Sequence, residues 1–275
     1  MATFYIDPTA GSGGDGSFGA PFDSWADVTW TAGNSYLQKR GTTFSGRITV
    51  GASGTSGSRI VVGVYDATSG EQVSDELGAA IVLANGDGTA PAINSARDFV
   101  SIIGLDAQNA GGTANLIRNG SDDGAVVEYC RASTGGGNGI SLFQQSGTSC
   151  VVRYNEACDN GTGANGSGIA LEGTPAVSWS GVDISGNVCD RNKTGVWLIP
   201  YDDVTKFVGL RAIGNRCRDN VADAGFRITA NADSGIVAFN VCTGNIYGIE
   251  LGPYATGTRI AKLELLGNTC TGNRR

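Results

Sequence analysis

The C-terminal half of the chain consists of short apolar and polar alternations separated by Gly and Asn. Residues 182–185 alternate in this way, Gly186 and Asn187 follow, and an apolar pair begins at Val188. After a second turn, residues 196–199 are again apolar. Alternation over about four residues between turn signals predicts β-strands rather than helices. The pattern therefore predicts coils that each contain three short strands, closed here by a loop at residues 200–206.

The phrase Asn-x-Cys-x-x-Asn occurs four times, always at the same place in this strand pattern. Its asparagines and cysteines recur at spacings of 28, 25 and 28 residues, the cysteines being Cys189, Cys217, Cys242 and Cys270. A period in the twenties with small residues in register is typical of a solenoid with one coil per repeat. Asparagine tolerates left-handed backbone angles, and its amide can bond the identical amide one coil away. We therefore expect these asparagines to form corners that serve stacking.

The third strand of each coil follows the pattern Gly-apolar-x-apolar, beginning at Gly139, Gly168, Gly195, Gly225 and Gly248. Because alternate side chains of a strand point to opposite faces, the two apolar residues should face the core and the middle position should face outward. The outward positions differ from coil to coil: Ser141, Ala170, Trp197, Arg227 and Glu250. Variation at one position of a regular repeat directs attention to this column as a binding surface.

Composition agrees with an all-β chain. The 275 residues include 44 Gly and 6 Pro, so few long segments lack a turn signal and helices should be scarce. We expect residues 1–60 to form an N-terminal capping segment with the first coils, and residues 61–275 to form one continuous parallel solenoid. Residues 71–95 fit the repeat poorly, and residues 71–77 are expected to form a loop or one helical turn. The C-terminal end, at Arg275, is expected to be uncapped.

Charge and residue content exclude several classes of function. The formal net charge is −7, with 19 basic and 26 acidic residues, which disfavours nucleic acid as a partner because phosphate binding needs a concentrated basic face. No run of 18 apolar residues occurs, so no membrane insertion is expected. The chain has no histidine, which excludes Ser-His-Asp, Cys-His and His-metal chemistry.

The chain has seven cysteines, and because this number is odd they cannot all pair in disulfides within the chain. The four in the repeat share one column with Ala157, and small apolar side chains in one column indicate an inward stack. A straight ladder does not converge tetrahedrally, so no zinc site is expected. We interpret these residues as buried free thiols, suited to assembly in a reducing cytosol. Disulfides between neighbouring coils remain possible on distance alone.

The Gly-Ile-x-Leu strands and the asparagine ladder, from about Arg97 to the end, resemble the right-handed parallel β-helix superfamily of pectate lyases and phage tailspikes. The Phe-Tyr-Ile-Asp-Pro sequence at residues 4–8 and the Gly-Asp-Gly-Ser sequence at residues 14–17 resemble the first segment of many bacterial and phage β-helix proteins. The resemblance implies a single-stranded right-handed parallel β-helix. It also implies that a polysaccharide lies along the sheet formed by the Gly-Ile-x-Leu strands and on the loops that follow them.

Applied to this chain, the resemblance places the substrate-binding residues on the outward column and its loops: Trp197, Tyr201, Arg227, Glu250 and Tyr254. Trp197 carries the strongest signal, because folding alone gives little reason for a large apolar ring on an outward strand position. Sugar rings present flat C–H faces that stack on such a ring. Cover by the tryptophan's own loop would explain it equally well. Arg227 and Glu250 lie on adjacent coils, where an ordinary surface ion pair is the simplest expectation.

Catalysis, if present, would need two carboxylates at a set separation. Retaining glycosidases place them about 5–5.5 Å apart and inverting ones about 6.5–9.5 Å apart. Glu172 lies one coil before Asp202 and Asp203, so these three residues are the candidate acid and base. Loop acids that only bind sugar, or that do nothing, are the simpler explanation. A lyase would instead use a Lys or Arg base such as Arg227, often with Ca²⁺; a hydrolase needs no cofactor.

The sequence leaves three functions open. One is a phage tailspike or similar virion appendage, assembled in the host cytoplasm, which binds a bacterial surface polysaccharide with or without cleaving it. Its partners would be two further copies in a trimer or other virion proteins. The second is a structural or adhesive β-helix without catalysis. The third is a secreted polysaccharide lyase or hydrolase.

Overall fold

The computed structural model describes residues 1–11, 13–84, 90–108, 112–120, 123–144, 147–161, 166–173, 178–199, 206–229, 231–252 and 260–275. These residues contain one short 3-10 helix, Trp25–Asp27, and 31 strands. All strand pairs among them are parallel except one. The all-β, parallel architecture predicted from the alternating pattern is confirmed.

The strands in chain order are β1 (Thr3–Ile6), β2 (Ser35–Lys39), β3 (Thr43–Ser45), β4 (Ile48–Val50), β5 (Ile60–Tyr65), β6 (Gln72–Val73), β7 (Ala80–Leu83), β8 (Ile93–Ser95), β9 (Val100–Ile103), β10 (Leu105–Gln108), β11 (Ile117–Asn119), β12 (Val126–Glu128), β13 (Arg131–Ser133), β14 (Ile140–Gln144), β15 (Gly147–Thr148), β16 (Val151–Arg153), β17 (Glu156–Cys158), β18 (Ser167–Gly173), β19 (Ser178–Ser180), β20 (Asp183–Ser185), β21 (Thr194–Ile199), β22 (Lys206–Val208), β23 (Leu210–Ile213), β24 (Arg216–Arg218), β25 (Ala224–Ile228), β26 (Asn231–Ala232), β27 (Gly235–Ala238), β28 (Val241–Thr243), β29 (Tyr247–Leu251), β30 (Leu263–Leu266) and β31 (Thr269–Thr271).

Most coils contribute one strand to each of three long sheets. Sheet 1 stacks β1, β2, β5, β9, β12, β16, β20, β23, β27 and β30. Sheet 2 stacks β3, β7, β10, β13 and β17, and continues through bridges at Val188 into β24, β28 and β31. Sheet 3 stacks β4, β8, β11, β14, β18, β21, β25 and β29. Four coils add a strand to a short sheet 4, made of β15, β19, β22 and β26, which the sequence did not predict.

The interior is filled by columns of side chains that repeat once per coil. In sheet 3, one inward column consists of fully buried residues through most of its length: Ile93, Ile117, Ile140, Ile169, Val196 and Phe226. Sheet 4 buries Trp179 against Phe207, with ring centroids 5.5 Å apart. Because each coil packs on the next, stability comes from stacking along one axis rather than from a single central core.

Two asparagine ladders run along the turns before and after sheet 2. One contains Asn155, Asn187, Asn215, Asn240 and Asn268, and the other contains Asn160, Asn192, Asn220, Asn245 and Asn273. In both, the backbone N–H of each asparagine donates to Oδ1 of the next one, at 2.9–3.1 Å. The stacking role predicted for these residues is confirmed, and the ladders begin one coil earlier than the cysteine phrase does.

The cysteine column lies inside, between the two ladders. Cys189, Cys217 and Cys242 are fully buried free thiols, as predicted, whereas Cys270 in the last coil is exposed, so the prediction of burial is wrong for that residue. The column packs against the glycines that open the sheet 3 strands: a Cβ on Gly195 would lie 2.9 Å from Cβ of Cys217. The close approach of sheets 2 and 3 therefore explains why the Asn-x-Cys-x-x-Asn phrase and the Gly-apolar-x-apolar pattern occur together.

The N-terminal region joins the same stack. Residues 71–77 were predicted to form a loop or a helical turn, but β6 pairs there in antiparallel fashion with β5. The following β7 and β8 pair in register with sheets 2 and 3, so Ala80–Leu83 and Ile93–Ser95 follow the coil despite the irregular sequence of this region. The boundary at residue 60 stays a prediction. Within the described part of the chain, no helix is long and apolar enough to cross a membrane.

Candidate functional site

The outward face of sheet 3 carries one column of side chains in continuous register. We call it the sheet 3 column; it consists of Arg118, Ser141, Ala170, Trp197, Arg227 and Glu250. Neighbouring members lie on hydrogen-bonded strands, about 4.8 Å apart. The sequence predicted the last five members. It missed Arg118, because β11 lacks the opening glycine and ends in Asn119 instead of a large apolar residue.

Trp197 is half-buried in the middle of this column. Its indole Nε1 donates a hydrogen bond to Thr229 Oγ1 at 3.0 Å, and the Arg227 guanidinium lies over its ring, 5.1 Å from the centroid. The tryptophan is therefore held by side chains of the next coil. Its preceding neighbour in the column, Ala170, is small. The described contacts fix the orientation of the ring without enclosing it completely.

Arg227 is the centre of a charged cluster at the C-terminal part of the column. It forms ion pairs with Asp223 and Glu250, the latter with 2.8 Å between Nε and Oε2. The predicted Arg227–Glu250 ion pair is confirmed, and Asp223 is an additional partner that the sequence did not indicate. Burial raises the pKa of Glu250; Arg227 acts against this shift, and the nearby Asp223 adds to it. The cluster thus places a carboxyl group of enhanced proton affinity two coil steps from the tryptophan, on the far side of Arg227.

Glu172 occupies a second outward position of sheet 3, two residues beyond the column, and it is not a solvated loop acid. It belongs to β18, is only 8% exposed, and accepts hydrogen bonds from Asn138 Nδ2 at 2.8 Å and Ser141 Oγ at 3.2 Å. Ser141, expected to be exposed at its outward position, is fully buried because Glu172 covers it. A buried carboxylate held by such donors is oriented rather than free to move.

A cavity of about 310 Å³ lies on the same face, toward the N-terminal end of the column. It is lined by Pro91, Asn115, Arg118, Ser141, Phe143 and Glu172, among others. The Arg118 guanidinium lies over the Phe143 ring, 5.1 Å from its centroid. The cavity is therefore continuous with the sheet 3 column, and it brings Glu172 together with an arginine that sequence reasoning did not select.

The solved structure of a pectate lyase, Pel9A, superimposes on 99% of this chain and on 77% of its own length, with a TM-score of 0.60 and 18% sequence identity. The chain is a right-handed parallel β-helix. At this identity the likeness concerns the fold alone. No family model matches the sequence, and no curated protein matches it.

Two further solved structures resemble the β-helix more weakly. A GH136 lacto-N-biosidase from Eubacterium ramulus covers 98% of this chain and 67% of its own, with 10% identity and a TM-score of 0.45. An alginate lyase from a Paenibacillus species covers 99% and 97%, with 15% identity and a TM-score of 0.42. Scores this low carry no argument about the site.

Four of the residues proposed for the site come after sheet 3 strands in the sequence and lie outside the described residues: Tyr201, Asp202, Asp203 and Tyr254. The separation of Glu172 from either aspartate is therefore still a prediction. Among the described residues, no group of three or more Cys, Asp or Glu side chains is arranged to hold a metal ion. The described site consists of the charged cluster, Trp197 and the cavity.

Proposed function

We propose that this β-helix binds a polysaccharide along the sheet 3 column. The observation that carries the proposal is the position of Trp197, an aromatic ring held on the outer face of a sheet by Arg227 and Thr229. A ring fixed in this way offers apolar area to a sugar at little cost in side-chain entropy. The adjacent carboxyl, hydroxyl and guanidinium groups suit sugar hydroxyls.

The repeat itself supports an extended ligand. Members of the column are about 4.8 Å apart, so Arg118 and Glu250 are separated by five coil steps, or about 24 Å. A short ligand would meet only part of this surface, whereas a polymer would meet several of its polar side chains. The pectate lyase with the same fold is consistent with this ligand class, although no residue is transferred from it.

The central test is the binding of Trp197→Ala to a glycan array and, for any glycan retained, a titration of its affinity. Loss of the stacking surface should weaken binding about tenfold, which corresponds to about 1.4 kcal/mol. Tyr154→Ala is a matched control, because Tyr154 is 47% exposed beyond the end of β16, on a different face. Equal weakening by both variants, or none by Trp197→Ala, would contradict the proposed surface.

Cleavage of the bound polymer is a separate part of the proposal, in which Glu172 and either Asp202 or Asp203 act as acid and base. The buried, hydrogen-bonded setting of Glu172 supports it as a positioned group. Glu172→Gln and Asp202→Asn should abolish release of reducing ends while binding persists. Unsaturated, ultraviolet-absorbing products that require Ca²⁺ would favour a lyase instead, and unchanged activity in both variants would remove the assignment.

For the biological setting we propose a tailspike-like virion appendage, with secretion as the alternative. Free thiols at Cys130, Cys150, Cys158 and the repeat cysteines support assembly in a reducing compartment. The expected oligomer is a trimer, measured by light scattering after size-exclusion chromatography. A stable monomer would favour a secreted enzyme. A protein that binds no glycan in any oligomeric state would favour a structural role.

A further inference from the structure

Arg118 has no carboxylate partner among the described residues, in contrast to seven arginines of the later coils. Those seven form ion pairs with acids, mostly on neighbouring coils: Arg131, Arg153, Arg191, Arg211, Arg216, Arg218 and Arg227. The contact described for Arg118 is with the ring of Phe143. In a chain of net charge −7, an arginine without an acidic partner inside a cavity indicates a site for an external anion.

The stacking of Arg118 on Phe143 leaves its hydrogen-bonding capacity available. A guanidinium uses its flat face against an aromatic ring, and its five N–H donors project from the edges in a fixed fork. Such a fork matches two oxygens of a carboxylate or of a similar anionic group. The ring contact also restricts the side chain, so that less entropy is lost when a ligand binds.

The cavity supplies the remaining contacts for a sugar. Asn115 contributes a polar group to its lining, and Pro91 and Phe143 contribute apolar ones. Glu172 also lines the cavity and carries a negative charge; its carboxylate accepts hydrogen bonds from Asn138 and Ser141. It therefore suits neutral hydroxyl groups of a ligand rather than an anionic group. The two charges thus favour one orientation, with the anionic oxygens toward Arg118 and the hydroxyls toward Glu172.

We infer that the cavity is a subsite for an anionic sugar unit, one that carries a carboxylate or a sulfate ester, and that Arg118 determines this selectivity. The inference rests on the proposed binding of a polysaccharide and narrows its class. Arg118 lies three coil steps, or about 14 Å, from Trp197. The anionic unit and the unit stacked on Trp197 are therefore different residues of one polymer.

The test compares three sets of oligosaccharides of equal length on the full chain: carboxylated, sulfated, and neutral, the last including methyl esters of the carboxylated set. The wild type should prefer at least one anionic set over the neutral one by about tenfold, the ratio expected for one charge-assisted pair. Arg118→Gln should reduce that ratio to about twofold or less while neutral binding persists. Arg118→Lys, which keeps the charge but not the fork, should give an intermediate ratio.

Arg211→Gln is the matched control, because it removes the same charge from sheet 1, where Arg211 pairs with Asp183. It should leave the ratio unchanged, and thermal unfolding of each variant verifies folding. Equal binding of neutral and anionic sets by the wild type, or an unchanged ratio in both Arg118 variants, would overturn the subsite while leaving polysaccharide binding intact. Failure of every glycan to bind would instead overturn the proposed function. Preference for carboxylated over sulfated sets, or the reverse, identifies the anion.

Discussion

The turns around sheet 2 and the outer face of sheet 3 belong to the same coils but vary in opposite ways. At the turns, five successive coils carry asparagine in each of two ladders, with the same hydrogen bond each time. On the face, six successive coils carry six different residues in the sheet 3 column. A position fixed by the stacking of identical neighbours cannot vary, whereas an outward position has no such constraint.

This difference in variability distinguishes the residues that stabilise the solenoid from those that we propose bind its ligand. Each asparagine satisfies buried backbone groups that would otherwise lack partners, so its role is the same in every coil. Members of the sheet 3 column interact laterally in pairs, such as Trp197 with Arg227, and each pair is unique. Regular columns should therefore respond to mutation in stability, and the irregular column should respond mainly in binding.

The largest effect is expected for thiol reactivity along the regular cysteine column. Burial raises the pKa of Cys189 in this column, and outside the column it raises the pKa of Cys130 to about 12 and that of Cys158 to about 11. At pH 8 a pKa of about 12 leaves about one thiolate in 10⁴, and burial also blocks access. Cys270 is exposed, although partial desolvation raises its pKa as well. In the native protein one thiol, that of Cys270, should react quickly with a disulfide reagent.

The remaining six thiols should react only after unfolding in denaturant. Cys270→Ala serves as the control, because it should remove the fast phase and leave the slow one unchanged. Two or more fast thiols in the wild type would mean that the last coils open readily. That result would show that buried thiols become accessible in the native protein by local opening.

Substitution in the centre of an asparagine ladder should have the next largest effect. Asn215 is fully buried; its Oδ1 accepts from N and Nδ2 of Asn187, and its Nδ2 donates to the Ile184 carbonyl. Asn215→Ala removes all three hydrogen bonds and leaves the Asn187 backbone N–H without this acceptor, although Asn187 Nδ2 still donates to the Val152 carbonyl. The free energy of unfolding should fall by about 3 kcal/mol. Urea-induced unfolding measures the change.

Asn34→Ala is the comparison for that variant, because Asn34 accepts one exposed hydrogen bond, from the Ala2 backbone N–H. Its cost should stay below about 1 kcal/mol. If the two asparagine variants lose similar stability, the ladders do not carry the stacking energy assigned to them. The glycan affinity of Asn215→Ala, measured where the protein is folded, should equal that of the wild type.

The asparagine ladders and the coils that they join could be predicted from the sequence for a physical reason. A stacked position recurs at the coil period, so four copies of Asn-x-Cys-x-x-Asn predicted both the coils and their corners. The irregular segments were not predictable in the same way. The short strand β6 pairs in antiparallel fashion with β5, which no repeat predicts. In sheet 4 the buried Trp179 packs on Phe207, which lies 28 residues later in a segment of dissimilar sequence.

The site was predictable only in outline. The strand pattern gave the outward register of Trp197, Arg227 and Glu250, because side-chain direction in a strand depends on parity alone. It could not give the partners of those residues. Asp223 reaches Arg227 from the preceding turn, and Glu172 covers Ser141 from the next coil, contacts that depend on side-chain length and rotamer. Arg118 was missed because its strand departs from the glycine pattern.

The smallest expected effect concerns the pH dependence of stability at Glu250. Its pKa is raised above the ordinary value of 4.5, first by burial and then by Asp223, against the influence of Arg227. The folded state therefore binds this proton more tightly than the unfolded state, so the stabilising contribution is complete at acidic pH and is lost as the pH rises through the raised pKa. Glu250→Gln stays neutral throughout. Its melting temperature relative to the wild type should rise by a few degrees or less between pH 4 and pH 8.

Glu264→Gln is the matched control for this titration, since Glu264 is an exposed carboxylate on β30 in the last coil. The difference between Glu264→Gln and the wild type should show no comparable trend with pH. If Glu250→Gln instead becomes less stable than the wild type as the pH rises, the ion pair with Arg227 outweighs burial. Glu250 would then be a stabilising residue of the β-helix. The distinction between stabilising columns and a binding column would not apply at the Glu250 end of the sheet 3 column.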